Sequence, residues 1–412
     1  MRPNLRRVSM LRAIESPSDG SDPSEEESLY LERVRVLSPQ IAAAAEQIDR
    51  ERRIPEALLG AMIDAGLFRL LLPRSVGGAE VHPLTFMRVV EAIASIEASP
   101  AWNVCQNSVC AMIAAYLPPD AAQHIFGDTR SILAWGPPGP NTRAIAVDGG
   151  YRVTGSWSFA SGSRHATWLG GYSDIYEADG TPRHSEKGAI VRRVVLFPAA
   201  AATMAEVWRV IGLRGTASDS FSVAELVVPH DHTAMRDDLS EVREPGWLYR
   251  FSHMNLFACG FASIALGVAR SMLDAFIRLA AEKTPRGFSN PMRDNAATQS
   301  EVAQAEAQIR SARTHLMQSM SEICSAVQQA SQVTLDQRMT IRLAATHAIR
   351  QATQVGDFAY EAAGASAVFD ANPFERRFRD LHAISQQLQG RKSHYQTVGK
   401  YLMGLDADTA FV

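Results

Sequence analysis

Cysteine and long apolar runs are scarce in this sequence. Its 412 residues include four cysteines, Cys105, Cys110, Cys259 and Cys324, and none of them forms a Cys-x-x-Cys pair. This excludes a disulfide framework and fits a reducing compartment. No apolar run approaches the roughly 20 residues of a membrane-spanning helix, and the N-terminus lacks the apolar stretch of a signal peptide. We therefore expect a cytoplasmic protein that does not enter a membrane.

An excess of charge of either sign is also missing. The 41 basic and 44 acidic residues leave a net charge of -3, so no global positive field can bind a polyanion and we expect no nucleic-acid partner. The sequence contains no His-Glu-x-x-His motif or His-rich cluster, so no metal site is predicted, and no Gly-x-Ser-x-Gly turn for a hydrolase. No Gly-x-Gly-x-x-Gly run opens a βαβ unit, which argues against an NAD(P)H site.

The composition is that of a folded protein with two or three packed units. Apolar residues make up 46% and charged residues 21% of the chain, as in ordinary globular proteins. We expect a disordered tail at residues 1–27, where basic residues, serines and prolines lead into three glutamates. An N-terminal helical domain follows at residues 28–130, because apolar residues recur there at spacings of three and four.

Residues 131–232 predict an antiparallel β domain of barrel or sandwich type. Two short runs, 144–147 and 151–154, flank a compact Asp-Gly-Gly turn. Gly and Pro break the remaining strand candidates at intervals too short for helices between them; these candidates are 168–176, 193–197, 207–211 and 221–228. The lack of βαβ alternation argues against a doubly wound sheet.

Residues 233–412 predict a C-terminal four-helix bundle. Its long amphipathic stretches are 254–279, 300–335, 339–364 and 373–405. At 1.5 Å per residue the second stretch would span roughly 50 Å, which is more than one compact domain needs and favours packing against another subunit. The predicted fold class is therefore α+β, mainly α, with a β domain between two helical parts.

This order of parts is similar to the acyl-CoA dehydrogenase fold, and several motifs sharpen the resemblance. Residues 149–162 read GGYRVTGSWSFASG, and their Trp-x-Phe-x-Ser-Gly ending resembles the flavin-dependent monooxygenase branch of that superfamily. Residues 212–218 (GLRGTAS) and 227–229 (VVP) look like the next two landmarks of the family. An Arg-Asp pair at 379–380 and residues 399–404 (GKYLMG) complete the pattern.

The resemblance implies the oxygenase component of a two-component (group D) monooxygenase. A separate flavin reductase supplies reduced FMN or FAD, and the oxygenase uses it with O2 to hydroxylate a small aromatic substrate, phenolic or indolic. FMN and FAD cannot be told apart, because the reduced flavin is held mainly through its ring and first phosphate. We expect the long C-terminal helices to build a homotetramer. Two alternatives stay open: an acyl-CoA dehydrogenase-like oxidoreductase, and a non-catalytic flavin- or ligand-binding protein.

The resemblance also implies residues that contact the flavin. Ser161 stands on the turn where a hydroxyl or backbone amide of the family meets flavin N5, and Gly162 follows it. Trp135 and Phe159 are candidate apolar walls, although strands favour aromatic residues in any core.

Three further flavin contacts lie outside that turn. Arg214 and Thr216 occupy a glycine-flanked loop suited to an anionic group, with a surface ion pair as the alternative for the arginine. Arg286 resembles the family arginine that reaches the flavin phosphate of a neighbouring subunit; otherwise it is a solvated arginine at a helix end.

The sequence departs from the family where catalytic histidines are expected. The helix at 99–110 has no histidine, and Gln387 stands near the second expected position. A glutamine can hold a substrate oxygen but cannot act as a base. His382 is the nearest titratable side chain, either catalytic or paired structurally with Asp380. The predicted catalytic residues are Ser161, Gln387 and His382, and the predicted substrate contacts are Trp102, Cys110, His165 and Gln387.

One further absence bears on the alternatives. Acyl-CoA dehydrogenases commonly place a glutamate base shortly after the Arg-Asp pair, whereas residues 381–405 contain no Asp or Glu. This disfavours dehydrogenation of an acyl thioester.

Overall fold

The computed structural model describes residues 24–186 and 188–412 and confirms the predicted order of helices, sheet and helices. Eleven α-helices and eight β-strands are present in this part of the chain. The predicted tail lies outside the described residues as far as residue 23.

Six helices form the N-terminal part: α1 (Glu25–Ala43), α2 (Ala45–Glu51), α3 (Glu56–Asp64), α4 (Pro83–Ala94), α5 (Ala98–Ala111) and α6 (Pro119–Phe126). α1 begins at Glu25 because the Ser24 hydroxyl caps it, accepting from the Glu27 amide at 3.1 Å. The Glu27 carboxylate is buried against Arg88 at 2.6 Å. The predicted tail boundary at residue 27 is therefore wrong, since the three glutamates form the first turn of a helix, where acidic side chains are favoured.

A single mixed sheet forms the middle part: β1 (Leu133–Gly136), β2 (Arg143–Val147), β3 (Gly150–Ala160), β4 (Trp168–Tyr176), β5 (Arg192–Pro198), β6 (Thr203–Ala205), β7 (Asp219–Pro229) and β8 (Thr233–Ala234). Its order is β6-β7-β3-β2-β4-β5-β8, and β1 pairs with β4. β4 runs parallel to β1 and to β2. The prediction of a purely antiparallel domain is wrong, because residue patterns report which face is buried but not the direction of a neighbouring strand.

Two boundaries of the β domain differ from the prediction. The candidate strand 207–211 is not a strand, because the Trp208 backbone amide donates to the Asp219 carboxylate at 2.9 Å instead of to a ladder. β8 pairs with β5 and carries the sheet to Ala234, two residues beyond the predicted end at 232.

Five helices form the C-terminal part: α7 (His253–Glu282), α8 (Ala296–Val327), α9 (Leu335–Ala363), α10 (Phe374–Gln386) and α11 (Ser393–Leu402). α9 packs against α7, α8 and α10. The predicted stretch 300–335 ends early, at Val327, and the predicted stretch 373–405 is divided into α10 and α11 by a loop at 387–392. α8 has 32 residues and spans about 48 Å.

α7 is the core helix of the C-terminal part. By length and composition it is apolar enough to cross a membrane, but 94% of its most apolar stretch is buried inside the protein. Buried core helices meet the same two criteria, so α7 by itself does not indicate a membrane.

Candidate functional site

The turn after β3 places Ser161 and Gly162 against α5. Phe159 and Gly162 both have positive φ angles, +55° and +81°. Position 162 also has no space for a side chain, since a Cβ there would lie 2.7 Å from Asn107 Oδ1 and 2.8 Å from His165 Nε2. Glycine is required for the backbone and for the close approach of these side chains.

The hydroxyl of Ser161 belongs to a chain of buried hydrogen bonds. It accepts from Trp102 Nε1 at 3.0 Å and lies 2.7 Å from Ser218 Oγ. Ser218 Oγ lies 2.7 Å from Thr216 Oγ1, which donates to the Leu213 carbonyl at 2.9 Å. The sequence predicted Ser161, Trp102 and Thr216 as site residues but missed Ser218, although it ends the GLRGTAS segment.

Assigning one proton to each hydroxyl gives this chain a direction. The proton of Thr216 is used on the Leu213 carbonyl, so Ser218 donates to Thr216 and Ser161 donates to Ser218. Ser161 already accepts from Trp102. Its oxygen is therefore left with one further bond to make, and it can make that bond only as an acceptor.

Asn107 of α5 joins the turn to the sheet. Its Nδ2 donates to the Leu133 carbonyl at 3.0 Å and to the Ser161 carbonyl at 3.2 Å. Its Oδ1 lies 3.3 Å from His165 Nε2. Burial lowers the pKa of His165 to about 4, so this predicted substrate contact is a neutral imidazole. Sequence reasoning missed Asn107; the available signal was an asparagine in a helix interior, where it is disfavoured without a tertiary partner.

Trp102 and Cys110 lie at two ends of one face of α5. The Trp102 ring stacks on Phe261 with a centroid distance of 3.9 Å. Cys110 is fully buried, and Gln106 Nε2 lies 3.5 Å from its sulfur. Burial raises the pKa of the Cys110 thiol, so it stays protonated and largely apolar. Eight residues separate the two side chains, which is about 12 Å along the helix.

The two predicted aromatic walls have different surroundings. Trp135 is buried, and its ring centre lies 5.5 Å from that of His253. Phe159 is 63% exposed and makes an edge-to-face contact with Trp208 at 6.0 Å. Phe159 therefore offers an open apolar face beside the Ser161 turn, whereas Trp135 is part of a packed cluster.

α10 holds the loop that contains the end of the hydroxyl chain. The Asp380 carboxylate accepts from the Leu213 amide at 2.6 Å, and Leu213 itself has a positive φ of +52°. Arg379 donates to the Ile211 carbonyl. A Cβ at Gly212 would collide with the backbone of Arg379, so this glycine is required by the closeness of the helix. The Arg-Asp pair and the GLRGTAS segment are thus parts of one contact.

Arg214 forms an ion pair within the protein, which was the alternative to its predicted contact with the flavin. Its guanidinium lies 3.5 Å from one oxygen of Asp49, and that of Arg379 lies 3.4 Å from the other. Arg214 is therefore engaged within the protein, beside the hydroxyl chain.

The described contacts of His382 differ from the predicted pairing. His382 Nε2 lies 2.8 Å from Asp357 Oδ1, and its ring packs on Phe378 with a centroid distance of 4.3 Å. Pairing with Asp380 is wrong, because that carboxylate points at Leu213.

Gln387 and Arg286 have no described contact with the Ser161 turn. Gln387 follows the last residue of α10, and its side chain accepts from the Gln389 amide at 2.6 Å. Arg286 is exposed in the loop after α7. Their roles in binding substrate and a neighbour's flavin stay predictions.

A charged cleft of about 280 Å³ lies beside Trp208. Four arginines and two glutamates line it: Arg50, Arg52, Arg164, Arg209, Glu51 and Glu206. Arg164 is held there by the buried Asp219 carboxylate at 2.6 Å. Two of the arginines pair with the lining glutamates, Arg50 with Glu51 and Arg164 with Glu206, each at 3.7 Å. Arg52 and Arg209 then supply the net positive charge that suits an anionic group such as a phosphate.

Two family descriptions match the helical parts of the chain. Residues 24–126 match "Acyl-CoA dehydrogenase, N-terminal domain", and residues 259–389 match "Acyl-CoA dehydrogenase, C-terminal domain".

Characterised relatives cover most of the chain. It is 28% identical over 358 residues to indole-3-acetate monooxygenase of Pseudomonas putida, covering 87% of this chain and 89% of the relative. It is 26% identical over 362 residues to the oxygenase subunit HsaA of a flavin-dependent monooxygenase of Rhodococcus jostii, covering 86% and 92%. The crystal structure of 3-HSA hydroxylase from Rhodococcus sp. RHA1 superposes with a TM-score of 0.84 at 24% identity, covering 93% of this chain and 99% of that one, which bears on the fold alone.

Proposed function

The chain belongs to the acyl-CoA dehydrogenase superfamily, in its branch of flavin-dependent monooxygenases, and we propose that it is the oxygenase component of a two-component hydroxylase acting on a small aromatic compound. The observation that carries this proposal is the hydroxyl chain, which leaves Ser161 as a hydrogen-bond acceptor in a turn beside an open aromatic face. Its relatives are named as monooxygenases, one of them an indole-3-acetate monooxygenase and one an oxygenase subunit.

The residues of this turn fit a reduced flavin better than an oxidised one. A reduced flavin carries a hydrogen on N5, which an acceptor at Ser161 can bind, whereas the N5 of an oxidised flavin is itself an acceptor. Phe159 and Trp208 provide apolar surface for the ring, and the arginine-lined cleft beside Trp208 provides positive charge for a phosphate. When bound, the reduced flavin supplies the electrons that activate O2, so that one oxygen atom enters the substrate and the other leaves as water.

The protein's own residues would orient the cofactor. Trp102 and Ser218 hold the Ser161 hydroxyl in place, and both Ser161 and Ser218 are buried. A reductase, bound transiently or linked only by flavin diffusion, would supply reduced FMN or FAD.

Assembly and location extend the proposal. We propose a homotetramer, since the C-terminal part exposes apolar side chains that an interface could bury, among them Phe288, Val368, Phe369, Leu402 and Met403. In such an assembly Arg286 would reach the flavin phosphate of a neighbour. We also propose a cytoplasmic location, which suits four cysteines that are buried and free.

The test is oxygenation by the purified protein with a generic flavin reductase, NADH and FMN under ¹⁸O2. A panel of phenols and indoles is screened by mass spectrometry for products that carry one ¹⁸O atom. Binding of flavin and aromatics without any labelled product would favour a binding protein. Bleaching of bound oxidised flavin by an acyl-CoA without O2 would favour the dehydrogenase alternative, which residues 381–405 disfavour because they hold no carboxylate.

A further inference from the structure

A largely buried polar cluster lies between the short helical turn after α5, β1, the segment after β8 and the start of α7. His253, the first residue of α7, is fully buried. Its ring centre lies 5.5 Å from that of Trp135 and 5.9 Å from that of Tyr116. Asp237 and Arg236 also belong to the cluster, and the Arg236 guanidinium lies between two rings, 5.5 Å from that of Trp135 and 4.5 Å from that of Tyr172.

Asp237 determines the hydrogen-bonding state of His253. One carboxylate oxygen accepts from the His253 backbone amide at 2.8 Å and lies 2.7 Å from its Nδ1. Burial would raise the pKa of Asp237, but His253 and Arg236 outweigh it and hold that pKa well below its usual range. Burial also lowers the pKa of His253. In the neutral imidazole, the contact with Asp237 places the proton on Nδ1 and leaves the lone pair on Nε2.

Two atoms of this cluster have no hydrogen-bond partner among the described residues. They are His253 Nε2 and the hydroxyl of Tyr116, a side chain that is 2% exposed. A buried polar atom without a partner is destabilising, because no hydrogen bond offsets its removal from water. Two such atoms on neighbouring rings, one an acceptor and one able to donate, point to a ligand group that satisfies both.

The cluster and the Ser161 turn are connected through β1. α5 carries Trp102, which contacts Ser161, and about 12 Å further along it carries Cys110. β1 contains Leu133, whose carbonyl accepts from Asn107 Nδ2 as the Ser161 carbonyl does. Trp135 follows two residues later on the same strand. A compound held at the cluster would therefore border β1, the strand that Asn107 joins to the Ser161 turn.

The chemistry of the cluster selects a neutral phenol. The positive Arg236 is balanced by the negative Asp237, whose oxygen lies 3.2 Å away, so the cluster has no charge to offer an ionic ligand. The aromatic rings of Trp135 and Tyr116 suit an aromatic ligand. A phenolic O–H can donate to His253 Nε2 while its oxygen accepts from the Tyr116 hydroxyl, whereas an indole N–H can only donate.

We propose that His253 and Tyr116 bind the phenolic hydroxyl of the aromatic substrate. This rests on the proposed function and specifies its substrate class. His253 is then a substrate contact additional to Trp102, Cys110, His165 and Gln387, which the sequence predicted. Asp237 acts as a positioning residue, because it keeps the lone pair of His253 directed at the ligand.

The experiment compares ligands that differ in one hydrogen-bond donor. The affinities of 4-methylphenol and 4-methylanisole, and of indole and 1-methylindole, are measured by calorimetry on the whole protein with reduced FMN under nitrogen. We expect the wild type to bind 4-methylphenol about tenfold or more tightly than 4-methylanisole. Tyr116→Phe and His253→Leu should each lose most of this difference.

Tyr249→Phe is the matched control. Tyr249 is also fully buried, but its hydroxyl reaches the Leu71 carbonyl at 3.4 Å, away from the cluster. It should leave both affinities unchanged. Tyr116→Phe removes an unpartnered hydroxyl and should therefore keep or raise the melting temperature, a result that a purely structural tyrosine would not give.

Several outcomes would overturn the proposal. The first is a wild type that fails to bind 4-methylphenol, and the second is a wild type that binds 4-methylphenol and 4-methylanisole with equal affinity. The third outcome is a Tyr116→Phe variant that keeps the full wild-type difference in affinity between these two ligands. If the affinities of indole and 1-methylindole differ more than those of 4-methylphenol and 4-methylanisole, the cluster binds an indole N–H and the phenol proposal is wrong. The ligands need no turnover, so a missing ¹⁸O product with intact discrimination would refute the proposed function and leave this site standing.

Discussion

At the scale of single residues, the site depends on how protons are distributed among buried groups. The Ser161 oxygen accepts a hydrogen bond from Trp102, and its hydroxyl donates to Ser218. Ser218 in turn donates to Thr216, and Thr216 donates to the Leu213 carbonyl. Each hydroxyl has one proton, so the Leu213 carbonyl at one end of the chain fixes the direction of every bond in it. As a result, the Ser161 oxygen at the other end can form a further hydrogen bond only as an acceptor. A serine on the same turn without this chain would be free to rotate its proton toward the flavin.

Ser161→Ala should weaken binding of reduced FMN. Loss of the acceptor removes one buried hydrogen bond, worth about 1 to 3 kcal/mol, and H2O2 release per NADH should rise because oxygen chemistry becomes uncoupled from the substrate. Reduced-flavin affinity and peroxide yield are measured together. Ser163→Ala is the control, since Ser163 is buried on the same turn but donates to the Ala217 carbonyl at 3.0 Å. Equal effects of both variants would show that Ser161 acts only through the turn.

His382→Ala should leave product formation within about twofold of the wild type. The His382 and Asp357 side chains are 35% and 46% exposed, and an exposed pair contributes about 0 to 1 kcal/mol to stability. Turnover and urea unfolding are compared with those of Asp357→Ala, which removes the same pair. A large loss of turnover in the histidine variant alone would restore His382 as a catalytic residue.

At the scale of elements, α10 positions the loop that ends the hydroxyl chain. Asp380 holds the Leu213 amide, and Arg379 holds both Ile211 and Asp49. Asp380 is 3% exposed. Burial and the nearby Glu97 raise the pKa of Asp380 to about 7. A helix from the C-terminal part thus orders a loop of the β domain.

The buried carboxyl of Asp380 should make stability fall as pH rises. Its folded pKa lies above the unfolded value of about 3.9, so the native state binds the proton more readily and stability declines from about pH 4 to about pH 7. Asp380→Asn keeps an oxygen for the Leu213 amide without the charge and should flatten this decline. Urea unfolding at pH 5, 6, 7 and 8 measures it.

Ser385→Ala provides the control for this titration. Ser385 is buried on the same helix and donates to the His382 carbonyl at 2.8 Å. Its hydroxyl does not ionise in this pH range, so the variant should reproduce the wild-type slope. The Asp380→Asn slope should not vanish, since burial also raises the pKa of Glu97. An unchanged slope in Asp380→Asn would contradict the assignment.

At the scale of the whole molecule, three parts meet around one region. α5 comes from the N-terminal part, the Ser161 turn from the β domain, and α7 and α10 from the C-terminal part. The exposed apolar side chains of the C-terminal part leave surface available for further chains.

Light scattering should give a mass of about 180 kDa, four times the 45.0 kDa of one chain. Leu402→Asp combined with Met403→Asp should lower this mass, because both side chains are at least 70% exposed and charge opposes their burial in an interface. Val36→Asp, at a 62% exposed position of α1, is the control and should leave the mass unchanged. A wild-type monomer at micromolar concentration would contradict the tetramer.

The sequence by itself determined the order of helices and strands, the turn at Ser161 and Gly162, and the family landmarks. These features depend on local properties: apolar periodicity, backbone freedom at glycine, and short motifs. The same information set the ends of some elements wrongly, as at residues 25–27, because an acidic run reads as a solvated tail until its cap and its buried partner are known.

Only the tertiary structure decided which distant side chains meet. Asp380 lies 167 residues from the amide that it accepts from, and Ser161 lies 57 residues from Ser218. The parallel pairing of β4, the partner of His382, and the unpartnered atoms of His253 and Tyr116 likewise depend on how packed elements approach one another. A pattern along the sequence indicates which face of an element is buried, but it does not identify the residue that packs against that face. The chemistry of this site depends on those contact partners.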